Sequence, residues 1–294
     1  MYYAGTSLTV MIRDKDRRKG APVRNGSRGM VAEYAFAFAI AAACAAAFDR
    51  LVFAPAARAV DDRLYRDNAG AGVISSPGAG NAEPIAAPDI EAAAGAINAP
   101  LTAGAKRLFD IVFALALLIF LAPVLILGAI AVRLDSPGPV LYRQRRIGWR
   151  GAEFSVFKLR SMIVDAEPDG PRYASRNDAR ITRVGRLLRK FHIDEIPQAI
   201  NVLRGEMSFV GPRPERPEFV RDLAREIPHY HHRHLVKPGI TGWAQVKYEY
   251  AASVEGARCK LRYDLHYIRR FSLALDLLIV LMTVRVALFG LPRR

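Results

Sequence analysis

Two scarcities frame this sequence. Cysteine is nearly absent: Cys44 and Cys259 are the only two in 294 residues. They offer neither a metal-ligand spacing nor a disulfide framework, and they fit a reducing cytoplasm. Acid is the second shortage, with 28 Asp and Glu against 43 Lys and Arg and a net charge of +15 at pH 7. Such a chain favours anionic partners: nucleic acid, anionic lipid or phosphorylated substrates. No basic–aromatic nucleic-acid module is recognisable, so the first of these loses its support. The histidine-rich stretch Pro228-His-Tyr-His-His-Arg-His234 has no cysteine nearby, and Glu226 is its nearest carboxylate. That points to exposed or phosphate-facing histidines rather than a completed metal site. The length allows one or two domains with a real core.

Residues 1–100 read as a low-complexity extension. The first 30 are basic and polar, and disorder is expected there. Val31 to Phe48 is apolar apart from Glu33 but mostly alanine, with a length near that of a membrane span. A signal peptide and a later start at Met30 are the alternatives. Residues 61–100 have the Ala, Gly, Pro and Asp content of a linker. The character changes over 101–135. Ile111 to Val132 is an uncharged apolar run of 22 residues, roughly 33 Å as a straight helix and enough to cross a bilayer core. Pro123 lies near its middle and is expected to kink it. Lys106 and Arg107 precede the run, and Arg133, Arg143, Arg145 and Arg146 follow it. Basic flanks favour the cytoplasmic side. With both flanks basic, a Pro-broken re-entrant hairpin that enters one leaflet is expected. Lys106 is then cytoplasmic by parity. The weakly apolar alanine run is expected not to span, which leaves residues 1–48 and 61–100 on the cytoplasmic side as well.

The stretch from Phe191 to Pro214 organises the rest. Ile196, Ala199, Ile200 and Leu203 fall at i, i+3, i+4 and i+7, one buried helix face. Pro197 suits the first turn, and Gly205 the position just past the end. Asp194 and Glu195 therefore stand at or just before a helix N-terminus, whose partial charge should keep both ionised. Gly211-Pro-Arg-Pro214 is a rigid turn presenting Arg213. An ionised acid pair beside a fixed arginine can hold a metal and a phosphate together. An N-capping pair with a surface arginine is the plainer alternative. Upstream, Val140-Leu-Tyr142 and Glu153 to Arg160 read as short strands joined through residues 143–151, with Phe154, Val156 and Lys158 on one face. Residues 163–180 look like a loop. Ile181, Val184, Leu187, Leu188 and Phe191 line a helix whose other sides carry Arg183, Arg186, Arg189 and Lys190, a pattern suited to a membrane surface. In Lys237 to Val246 the glycines allow close backbone approach, and Trp243 reads as an interfacial anchor. Phe271 to Gly290 is apolar but holds Asp276 and Arg285, as in a packed or half-immersed helix.

Five segments, in order, resemble one family. They are Lys106-Arg-Leu-Phe-Asp110, Phe157-Lys-Leu-Arg-Ser-Met162, His192-Ile-Asp-Glu-Ile-Pro-Gln198, Asn201 to Pro214, and Lys237-Pro-Gly-Ile-Thr-Gly-Trp-Ala-Gln-Val246. They are similar to motifs of the bacterial sugar transferases. These are monotopic polyprenyl-phosphate phosphoglycosyl transferases that start exopolysaccharide, capsule, O-antigen or glycoprotein glycan synthesis. The resemblance covers about residues 104–290. Where the family often has Ser-Pro at the break of its membrane helix, Ala122-Pro123 stands here, which keeps the kink without the serine hydroxyl.

The resemblance implies an α+β, mostly helical monotopic membrane protein at the bacterial inner membrane. Its parts would be a re-entrant helix (101–135) and a cytoplasmic catalytic domain (136–294) with amphipathic interfacial helices and a small β-hairpin. The implied activity is transfer of a sugar 1-phosphate from a UDP-sugar to undecaprenyl phosphate, with a nucleoside monophosphate leaving. Asp194 is implied as the nucleophile that forms a covalent phosphosugar intermediate. Asp194 and Glu195 are implied to hold Mg2+. Arg213 is implied as the phosphate clamp, with Lys158, Arg160 and Arg186 as further phosphate ligands. A catalytically inactive membrane scaffold of a glycan assembly complex would keep the same fold. The presence of both Asp194 and Glu195 argues against it.

Overall fold

A computed structural model of the chain describes residues 87–289, apart from 169, 174–177 and 249–252. The basic leader, the alanine-rich run 31–48 and the linker up to residue 86 lie outside the described residues. The linker composition misleads at its end, because Ala87–Ile97 is a helix, α1. Alanine is the best helix former, and Ile90, Ala94 and Ile97 make a buried stripe against a later helix and the turn at 230–235.

Helix α2 runs Pro100–Asp135 and stays helical through Pro123, so the proline does not divide it into two elements. Its burial is concentrated near the ends. Lys106, Asp110 and Ala114 are buried on one side of the run, and Gly128 and Val132 on the other. Between them Ile119 is 68% and Phe120 80% exposed. Among the described residues it is the one helix long and apolar enough to cross a membrane, and only 11% of its most apolar window is buried. A core helix of that length would be mostly covered, so exposure of this kind points to lipid. Both ends are tied into the same domain. Arg107 donates to the carbonyls of Val202 (2.5 Å) and Leu203 (2.7 Å). Lys106 pairs with Asp110 and Asp276, and Asp110 accepts from the Ser208 hydroxyl and the Phe209 amide. At the other end Asp135 accepts from the Val184 amide.

Strands β1 (Leu141–Ile147) and β2 (Glu153–Leu159) form an antiparallel hairpin, in register from Leu141 opposite Leu159 to Ile147 opposite Glu153. β1 is longer than expected, since Arg143 to Arg146 belong to the strand rather than to its connection. Cross-strand partners decide this more than propensity does: Arg145 meets Glu153, and Arg143 lies over the Phe157 ring. Helix α3 (Arg183–Lys190) is capped by the Thr182 hydroxyl, which accepts from the Gly185 amide. Its expected apolar stripe divides. Leu188 packs with Val132 and Leu159, whereas Leu187 and Phe191 are exposed.

Helix α4 is Gln198–Arg204, ended by Gly205 at φ +80°. The buried set is Ile196, Gln198, Ala199, Asn201 and Val202. Ile200 and Leu203 are only half-buried, so the helix is rotated from the expected face. Asn201 supplies the reason. Its Oδ1 accepts from the Phe157 amide, and its Nδ2 donates to the carbonyl of Ser155 and to Glu206. One carboxamide thus gives the open edge of β2 the donor and acceptor that a third strand would.

β3 (Ser208–Val210) and β4 (Gly239–Thr241) pair in parallel, a pairing of strands too short to show a period in sequence. Between them lie α5 (Pro217–Glu226) and a 3-10 turn, Tyr230–Leu235. A Cβ on Gly239 or Gly242 would strike the Gly211 backbone, the close approach expected of these glycines. Helices α6 (Trp243–Lys247), α7 (Val254–Arg269) and α8 (Leu273–Phe289) complete the chain. Trp243 is 1% exposed, a core residue stacked on His266 and not an interfacial anchor. On α8, Asp276, Ile279 and Met282 are buried while Leu277, Leu281 and Val284 are exposed.

Candidate active site

Asp194 and Glu195 close a 3-10 turn, Ile193–Glu195, that leads through Pro197 into α4. His192, at φ +55°, takes the left-handed conformation that lets the chain turn tightly after α3. The two adjacent acids land in different environments. Asp194 is 6% exposed, and its Oδ1 has no hydrogen-bond partner among the described residues. Burial first, and then the Glu195 charge, push its carboxyl above the usual range, against Lys158, Arg189 and His192. Glu195 accepts Lys158 Nζ at 2.8 Å and Arg213 Nη2 at 2.5 Å on Oε1, and Arg213 Nη1 at 3.1 Å on Oε2. Burial would push this carboxyl up too, but Arg213 and Lys158 outweigh it and hold it well below the ordinary value. The two adjacent acids are thus shifted in opposite directions, which a shared helix end does not account for. α4 has only seven residues, and side-chain neighbours decide each acid separately.

The cations arrive from two other elements. Lys158 comes from β2, and burial lowers its ammonium despite Glu195. Arg213 comes from the turn after β3, and Glu195 raises its guanidinium further above its ordinary value. Its side chain is still 33% exposed. Lysine has three N–H donors and arginine five, so both keep donors that Glu195 does not use.

Two of the sequence candidates do not join this cluster. Arg160 is buried at the C-terminal end of α2, where its guanidinium donates to the carbonyls of Pro137 (2.8 Å) and Ser136 (2.6 Å). It anchors that helix end. Arg186 is exposed on α3, and it is Arg189, on the next turn, whose charge reaches Asp194. The histidine stretch divides as well. His229 and His231 are exposed, but Arg233 and His234 are buried, and burial together with Arg233 holds the His234 imidazole down to about 3. Among the described residues no group of three or more His, Cys, Asp and Glu could hold a metal ion. The reading by sequence passed over Arg146, Glu215 and Arg233, which surround the Arg213 turn. Arg146 lies in a crowd of cations and Arg233 among histidines, so neither arginine stands out by spacing, and Glu215 is a lone acid between Pro214 and Arg216.

A basic chain whose acid–cation centre sits in a small helical domain, carried on a largely bare apolar helix, defines a membrane-associated protein with a site suited to anions. The chain belongs to the bacterial sugar transferase family, whose profile matches residues 101–290. It is 45% identical over 198 residues to the UDP-N-acetylgalactosamine-undecaprenyl-phosphate N-acetylgalactosaminephosphotransferase of Aeromonas hydrophila, covering 67% of this chain and 47% of that one. It is 47% identical over 183 residues to the UDP-glucose:undecaprenyl-phosphate glucose-1-phosphate transferase of Caulobacter vibrioides, covering 61% and 68%. To the exopolysaccharide production protein PSS of Rhizobium leguminosarum it is 42% identical over 185 residues, covering 61% and 92%. The chain spans less than half the length of several curated relatives, the Aeromonas protein among them.

Proposed function

We propose that this protein is a phosphoglycosyl transferase that moves a sugar 1-phosphate from a UDP-sugar to undecaprenyl phosphate, in glycan synthesis of the exopolysaccharide type. The observation that carries this reading is the division within the acid pair. Asp194 is buried with an unpaired oxygen, beside a Glu195 whose charge already gathers Lys158 and Arg213. In the first half-reaction an Asp194 carboxylate oxygen bonds to the sugar-bearing phosphorus. The bond from that phosphorus to the bridging oxygen breaks, and uridine monophosphate leaves with that oxygen. In the second, a phosphate oxygen of undecaprenyl phosphate attacks the same phosphorus and releases the Asp194 carboxylate. Lys158 and the planar fork of Arg213 bind the phosphate oxygens, which lowers the repulsion between an anionic nucleophile and an anionic substrate.

The pair also fits Mg2+. This ion is usually held by one or two carboxylates together with waters and substrate phosphates. Asp194 has its unpaired Oδ1. Glu195 accepts three N–H bonds, which leaves room among the roughly four lone-pair sites of a carboxylate. Mg2+ held by Asp194 and Glu195 would offset charge on the pyrophosphate oxygens.

We read α2 as re-entrant, because both of its ends are tied to one polar domain that cannot stand on both faces of a bilayer. Basic flanks favour the cytoplasmic face, and exposed Leu187 and Phe191 suit contact with the same surface. A lipid phosphate and a soluble nucleotide meet at that interface.

The test is release of uridine monophosphate from a panel of UDP-sugars with undecaprenyl phosphate, together with trapping of the phosphosugar adduct. Asp194→Asn should lose both, because an amide does not attack phosphorus. A variant that keeps a tenth or more of parental turnover, as an order-of-magnitude threshold, would show that Asp194 is not the nucleophile.

A further inference from the structure

We propose that Arg233 is a positioning residue that aims Arg213 by holding the backbone carbonyl of Arg213 itself. The inference rests on the transferase reading above. The turn that presents Arg213 is short of donors, since Pro212 and Pro214 have no N–H. Its carbonyls must find donors elsewhere, and three in succession do so from three different elements. Pro212 O accepts from the Gly239 amide in β4 at 2.9 Å, Arg213 O from Arg233 Nη2 at 2.8 Å, and Pro214 O from Arg146 Nη1 at 2.9 Å. The Gly211 amide is tied to the Thr241 carbonyl at 2.9 Å. Proline fixes its own φ and restricts the residue before it to extended backbone. The φ of Arg213 and its side-chain torsions then decide where the guanidinium points, and a bond held on the Arg213 carbonyl limits the first of these.

Arg233 has the form this task requires. It is 4% exposed in the turn Tyr230–Leu235. Nη1 donates to the Tyr230 hydroxyl at 2.7 Å, and Nη2 lies 2.8 Å from Asp264 Oδ2. Tyr230 and Asp264 are themselves 2% and 1% exposed. A buried ion pair can often be replaced by apolar side chains with no loss of stability, so the fold alone does not call for one here. A rigid fork that joins a phenol, a carboxylate and one particular carbonyl does call for arginine. A lysine ammonium would keep the charge against Asp264 but not all three contacts.

A double-mutant cycle tests this, using steady-state release of uridine monophosphate by the parent, Arg213→Lys, Arg233→Lys and the double variant. Arg233→Lys should lower kcat by about ten- to a hundredfold in the parent, the size of effect a small misplacement produces. In the Arg213→Lys protein, where no fork remains to be aimed, it should lower kcat by less than about twofold. An equal loss in both backgrounds overturns the proposal, because a merely structural defect acts in every background. Tyr230→Phe is a milder probe that does not depend on how Arg233→Lys folds. It should lose about threefold, and again only where Arg213 is present. A second readout needs no chemistry. Calorimetric affinity of Asp194→Asn for inorganic pyrophosphate should fall about tenfold with Arg233→Lys, and not at all once Arg213 is lysine. A parent without turnover overturns the transferase reading. Pyrophosphate affinity that ignores Arg233 overturns the positioning of Arg213.

Discussion

Arg160→Met separates two roles that one arginine could fill. In the structure the guanidinium meets the carbonyls of Ser136 (2.6 Å) and Pro137 (2.8 Å) and the Ser136 hydroxyl (3.0 Å), just beyond α2. Methionine keeps much of the stem packing and removes every donor. Two carbonyls then lose charged partners worth about 1.5 kcal/mol or more each. The C-terminal end of α2 also loses a facing cation worth about 0.3–1 kcal/mol. The sum is roughly 3–4 kcal/mol, and at about 2–4 °C per kcal/mol for a domain of this size the melting temperature in detergent should fall by about 6–15 °C. The KM for the UDP-sugar should stay within about twofold, an effect well under 1 kcal/mol, because Nη1 and Nη2 of Arg160 are engaged at the helix end. Thermal unfolding followed by fluorescence and steady-state kinetics on the same preparation check both halves. A tenfold or larger rise in KM with an unchanged melting temperature, a loss of about 1.4 kcal/mol in binding alone, would refute the reasoning and return Arg160 to the phosphate ligands.

Asp194→Asn, expected to be inactive, should be more stable than the parent near neutral pH. The raised carboxyl of Asp194 binds its proton more tightly folded than unfolded. The native state therefore loses stability as pH rises from the ordinary carboxylate value of about 4 through the raised folded value, and the gap between variant and parent closes below about pH 4. Equal denaturation midpoints at about pH 8 would contradict this. For the membrane topology, cysteines at Thr102 and Ser136 flank the apolar part of α2 in a Cys44→Ser, Cys259→Ser background. An impermeant thiol reagent should label neither position in intact cells and both after permeabilisation. Labelling of one alone would mean that α2 crosses the bilayer.

What the linear sequence determined by itself is local. The apolar run from Ile111 to Val132 with its basic flanks, the acid pair ahead of α4, Gly205 at φ +80° and Arg213 between two prolines all follow from residues a few positions apart, through period, a missing N–H or a restricted φ. Composition misjudged Ala87–Ile97 because alanine serves linkers and helices alike. Tertiary structure alone decided which cations meet the acids. Lys158 reaches Glu195 across 37 positions. Arg160, two residues on, has left β2 and turns to the end of α2 instead. Arg189 rather than Arg186 reaches Asp194, because helix phase after packing sets the choice. The opposite shifts of the Asp194 and Glu195 carboxyls have the same origin. The two are neighbours in sequence, but only Glu195 receives Lys158 and Arg213. The buried arginines that hold the Arg213 turn, and the parallel pairing of β3 with β4, join segments whose proximity is created only when the chain closes on itself. No stretch of sequence contains that proximity.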